Sequence, residues 1–196
     1  MAPCAKSKGH REGVIIPPLQ ERGPRVETKF KDRPKGMQGS DPIPRSFLCG
    51  MFIEAITPLF QRDLQRLRTE TEAFPDAASL WRTSGTITNS GGTLCLHLCG
   101  NLQHFIGAVL GNSGYIRDRA AEFNERNIPV ADLIAEIDRT SAAVLPVLAR
   151  LTDADLEVPY PINVFEKEMS SAQFLLHLQG HLNYHLGQIN YLRRMA

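Results

Sequence analysis

The segment FLLHLQGHLNYHLGQINYLRR, residues 174–194, places His177, His181 and His185 at four-residue intervals inside an apolar, helix-forming run. The chain has six histidines, so half of them fall on this one segment. At about 3.6 residues per turn, residues four apart stand one above the other on a helix wall. Two imidazoles so placed can converge on one ion without backbone strain, which is why the spacing recurs in metal sites. A single histidine on an apolar face is more simply a hydrogen-bonded core residue. Three at helical spacing, with another in a second apolar segment, favour a metal.

A third ligand has to come from a facing helix, and LCLHLCGNLQHF offers His97 and His104. These lie seven residues apart, about two turns or 10 Å along the axis, so one ion takes only one of them. The helical segments hold no Glu-x-x-His, so a ferritin-like di-iron carboxylate site lacks its ligands. Three imidazoles leave a coordination position free and suit a divalent ion such as zinc, nickel or iron. Zinc so held would acidify a bound water or thiol.

Neighbouring residues take supporting parts. Asn101 and Gln188 are placed to orient ligands from behind, a common arrangement for metal-bound histidines. His104 and His177 are candidates for the same outer shell or for pocket lining. Cys95 and Cys99 stand two residues either side of His97, about 200° round the helix from it, and read as small core residues. Arg117, Asp118 and Arg119 read as a solvated, salt-bridged turn, with anion binding as the functional alternative. Tyr184 and Tyr191 read as interface or core aromatics, and Gly187 as a point of close helix packing.

The elements that carry these residues are helical. Phe52, Ile53, Ile56, Phe60, Leu64 and Leu67 form one stripe at three- and four-residue steps, with Pro58 as a kink or an effective start. A second helix opens at Ser90 and runs to the glycines at 111 and 114. A third starts at Pro129, with Pro146 expected to disturb its end. The residues between these two, YIRDRAAEFNERN, read as a charged loop or short turn. A fourth helix, capped by Ser170 or Ser171, carries the histidines. No alternating strand pattern, Gly-rich phosphate loop or CxxC occurs. The expected fold is all-α, a four-helix bundle over residues 46–196.

Residues 1–45 differ in composition. They hold seven of the 13 prolines and ten basic against five acidic residues, a net +5 within a chain of net +1. Such a segment cannot bury enough apolar surface to offset its ordering entropy, so a disordered basic tail is expected. Over the whole chain Lys+Arg 22 balances Asp+Glu 21, which argues against a nucleic-acid binder. No run is read as a membrane span of about 20 apolar residues. Scarce cysteines point to a reducing, cytoplasmic setting.

The stretch HLNYHLGQINYLRR resembles the last helix of the DinB-like (YfiT-like) superfamily of metalloenzymes, whose signature there is His-x-x-x-His followed by Gly-Gln. NSGGTLCLHLCGNLQHFIGAVLG is similar to its second helix, where His-Leu-x-Gly-Asn supplies a metal ligand. The resemblance covers residues 47–196 and implies a triad of His97, His181 and His185. It also implies a small-molecule substrate, with a low-molecular-weight thiol used by some relatives in transfer or isomerisation. Two function classes follow. One is a metal-dependent transferase or hydrolase. The other is a non-catalytic bundle with structural metal, acting through a dimer interface; a homodimer is expected in either case.

Overall fold

In the computed structural model the described residues are 45–196, with side chains described from residue 52. The tail assigned to residues 1–45 therefore lies outside the description but for its last residue, Arg45, which opens the first helix. Four long helices form the frame: α1 (Arg45–Glu72), α3 (Gly91–Leu102), α5 (Val130–Arg150) and α7 (Ser171–Met195). Three short ones join them: α2 (Ala77–Trp81), α4 (Arg119–Asn124) and α6 (Asp153–Glu157). No strand occurs among the described residues, only an isolated bridge between Pro159 and Ser170.

Each of α1 and α3 packs on both α5 and α7, so α1 and α3 stand at opposite corners of the bundle. The stripe Ile56, Phe60, Leu64 and Leu67 is buried at 2% exposure or less, and faces Leu133, Ile137, Leu178 and Leu182 in one core. Ser90 caps α3 by accepting from the Thr93 amide, and Ser170 caps α7 through a reciprocal pair with Gln173. Both internal prolines are tolerated. Pro58 and Pro146 are exposed, and the helices run on past them to Glu72 and Arg150.

Two features depart from the sequence expectation. From Gln103 to Leu110 the second long helix widens into a π-helix, closed by Asn112 and Gly114 with positive φ. The combined 20-residue helix Gly91–Leu110 also reaches the length and composition of a membrane span, with mean hydropathy 1.2 over an 18-residue window, where no such run was expected. Since 72% of that window is buried inside the bundle, packing accounts for its apolarity.

Candidate metal centre

His97 sits midway along α3, and His181 and His185 stand one turn apart on α7 where it faces α3. Their Nε2 atoms meet. His181 Nε2 lies 3.2 Å from His97 Nε2 and 3.1 Å from His185 Nε2. For metal–nitrogen bonds of about 2.0–2.1 Å, donors at right angles are about 2.9 Å apart and tetrahedral donors about 3.3–3.4 Å. These two spacings fall between the limits, and the three donor atoms all lie within 4.8 Å of one another.

Two of the rings have their tautomers set from behind. His97 Nδ1 lies 2.9 Å from Glu122 Oε2. Burial of this carboxylate opposes ionisation, but hydrogen bonds from Arg117 and His97 outweigh it and hold Glu122 below the usual carboxylate range. An ionised acceptor requires a proton on His97 Nδ1, which leaves the Nε2 lone pair facing the cluster. The 3.4 Å contact of Nδ1 with Arg117 Nη2 joins two donors and is secondary. His185 Nδ1 likewise donates to Gln188 Oε1 at 2.6 Å, turning its own Nε2 lone pair inward. His181 can donate to one of these lone pairs but not to both, so the cluster is short of protons and suited to a cation. The donor set fits a divalent metal.

Glu122 is the residue the sequence reading missed. The charged stretch expected as a loop contains α4, capped by Asp118 at the Ala121 amide, and α4 turns Glu122 onto α3 with 6% exposure. Arg117 grips it bidentately, Nε to Oε1 at 2.6 Å and Nη2 to Oε2 at 2.8 Å. The Arg117 side chain is only 10% exposed, so its charge is committed to this pair rather than to solvent. Gly100 makes the approach possible, because a Cβ there would collide with Glu122 Oε1. A glycine one turn from His97 was the available signal.

A cavity of ≈ 460 Å³ is lined by the three histidines together with Asn101, Phe105, Phe123, Phe174, His177 and Arg119. Asn101 is 7% exposed, and its Oδ1 has no partner among the described residues. It contributes to the wall and hydrogen-bonds to none of the three rings. His177 is exposed, stacked against Phe174 at 5.9 Å and edge-on to Phe165 at 4.8 Å, part of the wall rather than the core. His104 stays outside the cavity, its ring 4.8 Å from Phe105. Burial, followed by the charge of Arg117, lowers its pKa. Cys95 and Cys99 are free and at most 1% exposed, within the core.

The back of α7 is fixed by polar contacts with α1. The fully buried Asp63 carboxylate accepts from Gln179 Nε2 at 2.6 Å and Asn183 Nδ2 at 2.5 Å, two residues before and after His181. Burial works against its charge, but these bonds and one from Arg62 hold its pKa below the ordinary value. Further along, Glu70 accepts from Asn190 at 2.8 Å and Arg193 at 2.5 Å. Together they set the register of the histidine-bearing helix.

Burial, reinforced by the neighbouring rings of His185 and His97, pushes the His181 pKa down from 6.5 to about 4; burial lowers that of His185 as well. Between pH 6.5 and 4 the unfolded chain takes up a proton on His181 that the folded chain refuses. The associated stability is therefore complete above pH 6.5 and declines as pH falls toward 4. Thermal unfolding of metal-free protein should show a Tm that drops across this window, with a shallower drop in His181→Gln. Equal slopes in the two proteins would contradict the assignment.

Fold and site together define a helical-bundle protein with a three-histidine cluster suited to a metal. The profile of the DinB superfamily matches residues 59–189, more than half of the chain, and the chain belongs to this family. Its structure is similar to the crystal structure of a DinB-like protein from Bacillus cereus ATCC 10987. The TM-score is 0.59 at 17% identity, covering 72% of this chain and 91% of that one. At that identity the likeness is one of fold. No curated protein matches the chain.

Proposed function

We propose that the protein is a metal-dependent transferase or hydrolase acting on a small molecule, with His97, His181 and His185 holding one divalent ion of zinc, nickel or iron. The observation that carries this reading is the convergence of three Nε2 atoms, two with lone pairs turned inward by Glu122 and Gln188. Bound there, the ion would supply Lewis acidity, making water or a low-molecular-weight thiol nucleophilic near neutral pH. The chain's own residues do the remaining work. Glu122 and Gln188 keep protons off the donor atoms, and the aromatic wall of Phe105, Phe123 and Phe174 excludes water from one side of the cavity. Arg119 lines the cavity as well, its guanidinium 5.3 Å above the Phe123 ring, placed to meet an anionic group on a substrate. Three protein donors opening on a cavity fit the catalytic pattern, in which a position stays free, better than the closed structural one.

Cobalt substitution tests this directly. With an open position, azide or a small thiol should enter and change the visible absorption. A spectrum indifferent to every added thiol and anion would mean a closed, structural site and would overturn the catalytic reading.

A further inference from the structure

The connection between α6 and α7, VPYPINVFEKEM at residues 158–169, suits neither helix nor strand. Pro159 and Pro161 lack amide protons and fix their own φ, and each favours an extended residue before it. The segment is nevertheless firmly held. Tyr160 N donates to Met169 O and Ser171 N to Val158 O, both at 2.9 Å, closing the neck of a loop. At the neck Tyr160 is 7% exposed, stacks on Phe174 at 4.0 Å and donates its hydroxyl to Phe105 O at 2.6 Å. Beyond the neck the character changes. Ile162, Val164 and Phe165 stand 39%, 41% and 41% exposed, three large apolar side chains within four residues. Such a cluster, unlike apolar residues scattered singly over a surface, marks a place where something binds.

These side chains enclose a space. A cavity of ≈ 300 Å³ lies against the loop, with Tyr160, Ile162, Phe165, Met169 and Phe174 among its walls. Its charged lining is Lys167 and Glu168, one of each sign, so it favours no charge on an occupant. Val164 and Phe174 belong both to this cavity and to the one of ≈ 460 Å³ on which the three histidines open. They are the partition between the two. Phe174, at 2% exposure and packed between Tyr160 and Phe105, is its fixed side, and Val164 on the loop is its edge. A chain that starts among the histidines and passes Val164 enters the second space. Resting on the reading of the histidine cluster as an open metal centre, we propose that the cavity at the 158–169 loop is a second subsite. It takes the uncharged, apolar end of the substrate whose reacting end lies at the histidines. Apolar cavities of about 150 Å³ accept a benzene ring, so this one holds an alkyl chain or a substituted aryl group. The pinned neck leaves the subsite preformed, so filling it costs little ordering of the loop.

Titration of the cobalt-loaded protein with straight-chain thiols from ethanethiol to octanethiol, followed by visible absorption, tests the subsite. Ethanethiol reports the open coordination position alone. Each further methylene that enters the subsite should tighten binding about fourfold, the ratio that corresponds to its burial. Val164→Phe fills the passage, and Ile162→Asp sets a carboxylate in the apolar wall. Both positions lie on an exposed loop, so far-UV spectra and Tm should match the parent. Both variants should bind ethanethiol as the parent does and bind the longest thiols about tenfold or more weakly than it does. An unchanged spectrum with every thiol, ethanethiol included, would overturn the open metal centre and the subsite with it. Ethanethiol that binds, with no gain on lengthening, would overturn the subsite alone. A gain that survives either substitution would overturn it too, since the chain would then lie elsewhere.

Discussion

Alanine at His97, at His181 or at His185 is expected to leave the purified, untagged protein without stoichiometric metal. Loss of an outer partner of a metal-bound histidine typically costs about 10–100-fold in affinity, and loss of a ligand itself should exceed this. The far-UV spectrum should stay helical, since the core around Leu98, Leu182 and Leu186 is untouched by these changes. Alanine at His104 or His177 should retain metal, because neither ring joins the Nε2 cluster. Metal analysis of the five single variants decides the matter. Unchanged content in the first three would rule out the site, and equal loss in all five would mean that no particular triad exists.

The second large effect is expected at Glu122, which stands outside the triad. Glu122→Ala removes the acceptor of the His97 Nδ1 proton and strands the Arg117 guanidinium at 10% exposure. Breaking a buried ion pair from one side costs about 3–5 kcal/mol, which in a domain of this size lowers Tm by roughly 6–20 °C. Metal affinity should fall with it, because His97 is then free to turn or to change tautomer. Glu122→Gln keeps an acceptor oxygen for His97 and should fall between parent and alanine in both respects. A Tm and a metal affinity both equal to the parent's in Glu122→Ala would show the buried pair to be idle.

Most of the frame could be read from periodicity and caps, and for a physical reason. Ile56, Phe60, Leu64 and Leu67 recur at helical spacing because one face of α1 is a core face, and Ser90 and Ser170 start their helices through local hydrogen bonds. The clustered pair of α7 was legible for the same reason, since His181 and His185 are related by helix geometry alone. Whatever depends on contacts distant in sequence was silent. Helix α4 is only six residues long, too short for periodicity to give a signal, and the burial of Glu122 comes from Arg117 and the space at Gly100. Asp63 finds its partners 116 and 120 residues away. Tyr184 and Tyr191 keep helical spacing but lie on the outer face, not in the core of their own chain, and Gly187 packs against nothing. The widening at Gln103 has no local sign either, and counting at 3.6 residues per turn fails beyond it. His104, just past its start, lies outside the cavity that His97 lines.

Gly100 sets folding and function against each other at a single position. In the middle of a helix, alanine is ordinarily the better residue by about 1 kcal/mol. Here its methyl group would press on the carboxylate that orients His97. A lineage drifting toward a sturdier α3 would therefore move away from a competent site, without touching any residue that lines the cavity. Glycine at this position marks a chain in which orientation of the ligand has outweighed rigidity of the helix.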